Sequence, residues 1–412
     1  MKILFIHQNF PGQFRHLAPA LTKQGYEVWA LTMQENISND WNGARIIKYK
    51  ALRSSSKDIH PWLVDFETKV IRGESVYKAA LKLKQNDFFP NMVIAHSGWG
   101  EALFVKKVWP RTKLASYCEY YYQEVGADYN FDPEFKVNDD SDVCRLQLKN
   151  LNNDFMMKDV DAAISPTKWQ ADTYPEYFRN KIRIIHDGID TELVAPNANI
   201  QIKISNDITL TKDNEVITFV ARNLEPTRGF HIFARALPEI LIQKPNVNIL
   251  IVGDTKPGYG PLPEDGGNWR DKFVAEIRQQ ITDSGWARVH FLGHVEYKDY
   301  LAILQISSVH VYLTYPFVLS WSLLEAMSVG CAIVASNTKP VQEVIQHKET
   351  GVLIDFFNYD ELAMQVCELI DKISERKRLG TNARQFVQEN YDLKKVCLPA
   401  QIEWVKSFSD SI

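Results

Sequence analysis

Cysteine is scarce and unpaired in this sequence. Cys118, Cys144, Cys331, Cys367 and Cys397 are scattered over 412 positions with no CxxC pair. Such an odd, dispersed set supports neither a disulfide framework nor a zinc site, and it suits a reducing cytoplasm. Long hydrophobic runs are missing too, since no stretch approaches the roughly eighteen apolar residues of a membrane helix. The apolar start Ile3-Leu4-Phe5-Ile6 breaks at His7-Gln8-Asn9, which is too short for a signal peptide. Charge of one sign is lacking: the net charge of -4 leaves no basic footprint for a nucleic acid. GxGxxG is absent from both halves, which disfavours a nicotinamide or flavin cofactor. There is no repeat of fixed period and no low-complexity segment.

What is present is the composition of a folded globular chain, 45% hydrophobic and 24% charged. The length suits two domains of roughly 200 residues each. Short apolar runs, rich in β-branched and aromatic residues, recur at 3–6, 28–31, 92–95, 114–117, 162–164 and 182–185. They recur again at 216–221, 247–252, 289–292, 309–313, 332–335 and 352–354. Runs apolar on both faces read as strands of buried parallel sheets. Helical patterns at 13–25, 231–243, 273–284 and 361–379 lie between them. The alternation predicts an α/β chain of two Rossmann-like, doubly wound domains. Turn-formers over 194–213, including Ala195-Pro196-Asn197 and Asn206-Asp207, predict a linker between domains at 1–195 and 213–392. A last helix, within 393–412, is expected to cross back onto the first domain.

Ligands of doubly wound sheets bind beyond the carboxyl ends of the strands, so the loops there are informative. After the first strand, His7-Gln8-Asn9-Phe10-Pro11-Gly12-Gln13 places Gly12 at a helix start. Two readings stand: backbone approach to a ligand, or a tight turn without one. In the second half, Arg222 and Arg228 bracket the loop Asn223-Leu224-Glu225-Pro226-Thr227 between a strand and a helix. They read as a two-cation clamp for a diphosphate that needs no metal, or as a solvated pair. Further on, Thr314-Tyr315-Pro316-Phe317-Val318-Leu319-Ser320 opens the helix that starts at Trp321. Its amino end is an anion site. Glu325, one turn inside and flanked by Leu323, Leu324, Ala326 and Met327, can accept from vicinal hydroxyls of a ribose.

These residues resemble successive signatures of the family 4 retaining glycosyltransferases of GT-B fold. The resemblance runs through Arg222…Arg228-Gly229, Gly253-Asp254, Phe291-Leu292-Gly293-His294, Ser322-Leu323-Leu324-Glu325-Ala326-Met327 with Gly330, and Glu343 followed by Thr350-Gly351-Val352-Leu353. It is looser in the first half, through Asn9-Phe10-Pro11-Gly12 and His186-Asp187-Gly188-Ile189-Asp190. It implies two domains facing each other across a cleft, with the acceptor on the first and a nucleoside diphosphate sugar on the second. Arg222 and Arg228 would hold the diphosphate, and Glu325, as second glutamate of the family's E-x7-E motif, the ribose. His294 and Val295 would lie beside the base, with Gly12 and Gly253 on the donor, and Leu319, Ser320 and Trp321 would meet phosphate and sugar.

The sequence departs from the family at two places. Phe317 stands where the family has its first glutamate, as in a subgroup that lacks it. Where many members carry a histidine near the reacting centre, this chain has Cys118-Glu119-Tyr120. Glu119 and His96 are the candidate polar groups there. The resemblance implies a retaining, metal-independent, cofactor-free transfer of a hexose-type sugar from a UDP-sugar, or a GDP-sugar, to a glycan, lipid-linked or small-molecule acceptor. This is the chemistry of polysaccharide or glycolipid biosynthesis. A nucleotide-sugar epimerase of the same fold and a non-catalytic nucleotide-sugar-binding protein are the alternatives. The acidic run Asp139-Asp140-Ser141-Asp142 reads as a solvated loop rather than a metal site. Finally, Lys106, Lys107, Arg111 and Lys113 surround Trp109. An exposed tryptophan there would let the patch rest on the inner face of an anionic membrane. The other reading is a helix end with solvated lysines and the indole packed inward.

Overall fold

The computed structural model describes residues 1–137, 139–205 and 208–409, so Asn206 and Asp207 lie outside the described residues. The chain forms two compact units, Met1–Gly188 with Lys394–Ile412, and Ile189–Leu393.

The first unit is built on an eight-stranded sheet. Its strands are β1 (Lys2–Ile6), β2 (Glu27–Thr32), β3 (Asp40–Trp41), β4 (Ala44–Lys48), β5 (Met92–His96), β6 (Lys113–Tyr117), β7 (Ala162–Ser165) and β8 (Ile182–Ile184), in the order β3-β4-β2-β1-β5-β6-β7-β8. All pairs are parallel except the short β3–β4. β1 and β5 are apolar on both faces and almost wholly buried, as strands covered on both sides must be. The helix Leu398–Ser409 belongs to this unit, where Trp404, Val405 and Phe408 join a core with Ile3, Phe5, Phe14 and Leu17.

In the second unit, β9 (Gln201–Lys203) and β10 (Thr209–Thr211) form an antiparallel pair. The sequence reading had placed a plain linker here. Ile200, Ile202, Ile204 and Ile208 alternate onto a cluster with Leu210 and Leu250, and that burial recruits the segment into the unit. A six-stranded, all-parallel sheet follows: β11 (Val216–Asn223), β12 (Asn248–Asp254), β13 (Val289–Gly293), β14 (Val309–Tyr312), β15 (Ala332–Ser336) and β16 (Val352–Ile354), ordered β13-β12-β11-β14-β15-β16. This is the 3-2-1-4-5-6 order of a Rossmann sheet, and the strand order reverses between β11 and β14. The expected helix at 231–243 runs Phe230–Gln243. That at 273–284 begins earlier, at Trp269, and ends at Ile277, and that at 361–379 is two helices, Tyr359–Asp371 and Ile373–Asn390. Among the described residues no helix is long and apolar enough to cross a membrane.

Candidate functional site

In both units the polar clusters sit where the strand order reverses, the place at which such sheets bind ligands. In the first unit this point lies between β1 and β5. His7 follows β1 and His96 ends β5, and their rings meet edge to face at 5.6 Å. His96 is stacked between Trp99 and Tyr117, each 5.4 Å away. Its Nδ1 accepts from the Gly98 amide at 3.1 Å, so the neutral ring carries its proton on Nε2. That atom lies 3.4 Å from Glu119 Oε2. Gln13 donates to Glu119 Oε1 at 3.2 Å. Burial works to raise the Glu119 carboxyl, but the hydrogen bonds and charges of His96, His7 and Gln13 prevail and hold it below the usual range.

His7 is lowered to about 3, first by burial and then by the neighbouring His96. Gly12 (φ 46°) lies against this ring, since a Cβ there would come within 2.6 Å of His7 Cε1. The structure thus brings together His96, Glu119 and Gly12 with two groups the sequence reading passed over, His7 and Gln13. Their signal was the polar break directly after the first strand.

In the second unit the reversal lies between β11 and β14, and Arg228 bridges it. The Pro226–Arg228 turn follows β11, and Arg228 Nη1 donates to Thr314 Oγ1 (2.9 Å) and the Val318 carbonyl (3.1 Å), both beyond β14. The Tyr315 amide donates to the Thr227 carbonyl, tying the same two loops. Arg228 is only 7% exposed, and its guanidinium lies 5.3 Å from the Tyr259 ring centroid and 5.8 Å from that of Phe317. Phe317 is therefore part of an aromatic wall on the arginine. Gly229 (φ 68°) makes the turn possible: a Cβ there would sit 2.3 Å from that of Leu313.

Glu225, three residues before Arg228, spends its carboxylate on the amides of Tyr259 and Gly260 at 3.0–3.3 Å. It fixes the loop that carries Tyr259. Burial raises its pKa.

Arg222 is exposed and makes no hydrogen bond or ion pair among the described residues. Of the two arginines, Arg228 alone is held. Glu325, on the helix Trp321–Ser328, accepts from Tyr297 and Tyr300. Ser320 caps that helix, accepting from the Ser322 amide, while its own amide donates to Tyr312 Oη. Trp321 is half-buried and packs on the core around Leu323. The Leu319 side chain is buried in that core, which leaves its backbone to face the loop. Gly253 is required for packing, since a Cβ would meet Leu224 at 2.6 Å. His294 is exposed, and Val295 packs on the β9–β10 cluster.

Of the two readings of the tryptophan patch, the structure shows the one with the indole packed inward. Trp109 is 3% exposed and packs in the core, while Lys106 Nζ is taken by the Thr112 carbonyl (2.7 Å) and Asp161 (3.1 Å). The indole packs edge to face on Phe88 within that core rather than facing solvent. In the acidic run, Asp139 accepts from Ser141 and Asp142 pairs with Arg145.

Two Rossmann-like α/β domains, each with a polar cluster at its reversal point, make this a chain of the GT-B glycosyltransferase fold. Residues 24–194 match the family described as Glycosyl transferase family 4 group, and residues 201–386 match Glycosyl transferases group 1. With both modules present, the chain belongs to the group 1 glycosyltransferases. An uncharacterized glycosyltransferase of Methanocaldococcus jannaschii is 34% identical over 108 residues, 26% of this chain and 28% of that protein. Spore coat protein SA of Bacillus subtilis is 26% identical over 225 residues, 53% of this chain and 57% of that one. The chain thus spans between 28% and 57% of the length of these curated relatives.

Among solved structures, sucrose-phosphate synthase of Thermosynechococcus elongatus is similar with a TM-score of 0.73, at 18% identity and 100% coverage of both chains. Anabaena HepE, solved with UDP and glucose, has a TM-score of 0.66 at 17% identity, covering 99% of this chain and 100% of its own.

Proposed function

We propose that this chain transfers a hexose-type sugar, with retention and without a metal ion, from a nucleoside diphosphate sugar to an acceptor hydroxyl. The observation that carries the reading is Arg228. It is a buried guanidinium at the reversal point, oriented by Thr314 and Val318, and among the described residues no carboxylate pairs with it. Glu225 lies within reach of its charge but spends its oxygens on the Tyr259 and Gly260 amides, and a diphosphate adds negative charge in a geometry that a guanidinium matches. Arg222 adds a second cation nearby in sequence. Two arginines in this role make a divalent ion dispensable.

In the transfer, the anomeric carbon–oxygen bond to the diphosphate breaks as the acceptor oxygen bonds to the same face. The acceptor proton passes to the leaving diphosphate, and a nucleoside diphosphate is released. Positioning and stabilisation of the leaving charge are the protein's share. His96 and Glu119, at the reversal point of the first unit, are assigned to the acceptor end. Phe317 in place of a carboxylate marks the subgroup without the first glutamate and gives the sugar an aromatic neighbour.

A UDP-sugar is favoured because HepE has been solved with UDP and with UDP-glucose. A GDP-sugar is the second choice, since one relative is a GDP-mannose-dependent mannosyltransferase. Relatives named for inositol phosphate and phosphatidylinositol support polyol, glycan or lipid-linked acceptors. The reducing cytoplasm suggested by its free cysteines is the proposed location.

The test is a thermal-shift series with UDP, GDP and ADP, with and without EDTA. Ligand at a hundred times its Kd adds about 2.7 kcal/mol of stability. One nucleotide is expected to raise Tm in wild type, unaffected by EDTA, and to fail in Arg228→Ala. No shift with any nucleotide, or a shift that survives Arg228→Ala, overturns the reading. Acceptor-dependent nucleotide release then separates transfer from isomerisation of the donor.

A further inference from the structure

The carboxylate of Glu325 is held at both ends. Tyr297 Oη donates to Oε1 at 2.7 Å, and Tyr300 Oη donates to Oε2 at 2.6 Å. These are the lengths of hydrogen bonds from a hydroxyl to an ionised carboxylate. The two tyrosines come from one element, the helix Tyr297–Ile306, three residues apart and so on one face. Their rings are 5.7 Å apart and tilted by 33°. Tyr300 is half-buried against the core that backs the Glu325 helix. Burial first, and then the Glu325 charge, push its phenol well above the ordinary value, so it stays a proton donor. Tyr297, 44% exposed, opens the helix directly after the Gly293–Glu296 loop.

This arrangement narrows what Glu325 can bind. An ionised carboxylate has about four lone-pair sites, and the tyrosines occupy one on each oxygen. One site on each oxygen remains, both acceptors, side by side and fixed in direction. A phosphate is repelled there, and a single hydroxyl leaves one oxygen unused. A vicinal diol offers two donors at matching spacing. We infer that Tyr297 and Tyr300 position Glu325 as a reader of the ribose 2′ and 3′ hydroxyls, and so set the preference for ribonucleotides over deoxyribonucleotides.

The inference rests on the proposed nucleoside diphosphate site. The tyrosines are positioning residues that act through Glu325, and the readout must be one that loss of packing does not mimic. Dissociation constants are measured for UDP, 2′-deoxy-UDP, GDP and 2′-deoxy-GDP. The proteins are wild type, Tyr297→Phe, Tyr300→Phe, the double variant and Arg228→Ala. Wild type is expected to bind the ribo form of one base about tenfold or more tightly than its deoxy form, the worth of one charge-assisted hydrogen bond. The double variant is expected to lose most of that ratio, through weaker ribo binding with deoxy binding unchanged. Arg228→Ala is expected to weaken both forms alike and keep the ratio.

A ratio that survives in the double variant overturns the inference, as does a loss that falls equally on both forms. Wild type that binds ribo and deoxy forms equally, with both lost in Arg228→Ala, overturns it while leaving the proposed function standing. Wild type that binds none of the four overturns both.

Discussion

Arg222 and Arg228 are alike in sequence and unlike in the folded chain. Arg228 is buried, donates to Thr314 and Val318, and faces two aromatic rings, whereas Arg222 is exposed and makes no hydrogen bond or ion pair among the described residues. Their substitutions should therefore separate. Arg228→Ala removes a charge-assisted contact to the diphosphate worth about 1.5–3 kcal/mol, and it strips the Val318 carbonyl of its donor. It is expected to lower both nucleotide affinity and Tm. Arg222→Ala is expected to weaken nucleotide binding by a smaller factor with Tm unchanged. Calorimetry with the nucleotide that stabilises wild type, beside melting curves, measures both. Equal effects of the two substitutions on affinity and on Tm would refute the distinction. Arg228→Lys is expected to fall between wild type and alanine, because an ammonium cannot hold Thr314 and Val318 while forking onto a phosphate.

The helix Leu398–Ser409 is the last element of the chain, yet it completes the core of the first unit. Trp404 is 1% exposed among Ile3, Phe5, Phe14 and Leu17. Trp404→Ala is expected to cost about 3–5 kcal/mol, the usual toll for emptying a buried aromatic site. Chemical denaturation followed by circular dichroism reads the loss, and a change below about 1 kcal/mol would mean that the helix is not integral to that core. The pair β9–β10 makes the opposite point about short elements. Its strands have three residues each, and turn-formers flank them. Their alternating isoleucines nevertheless bring them onto the sheet.

Buried histidines in both units couple the stability of the molecule to pH. Burial lowers His186 to about 4 and His310 to about 3, and burial together with His96 lowers His7 to about 3. Each takes up its proton more readily in the unfolded chain, near the ordinary 6.5. The stability they contribute is fully present above that value and is lost as pH falls toward 3–4. Glu101 and Glu225, raised by burial, work in the other direction. The histidine contribution is isolated by comparing wild type with His310→Gln between pH 6.5 and 5. The variant is expected to lose stability less steeply, by up to about 1.4 kcal/mol per pH unit. Coincident slopes would show that His310 is not the neutral, buried group described.

How much of this was legible beforehand divides along physical lines. Strands such as β1, β5, β11 and β14 announce themselves because a parallel strand covered on both faces must be a short, unbroken apolar run. The class of fold follows from their alternation with helices. The motif residues Arg228, Glu325 and Gly229 were legible for a similar reason, since their roles depend on loops adjacent to those strands. The strand β4, one in from the edge, was not, because Arg45 and Lys48 interrupt its apolar run. Nor were Tyr297, Tyr300, Tyr259, His7 and Gln13, whose partners lie 28, 25 and, for Gln13, 106 residues away. Periodicity reports how a segment meets water and its own neighbours. Which side chain meets which across a sheet is set by strand order and packing. Only the tertiary structure therefore decided that Arg228 is held while Arg222 is exposed, that Trp109 is core, and that a pair of tyrosines fixes Glu325.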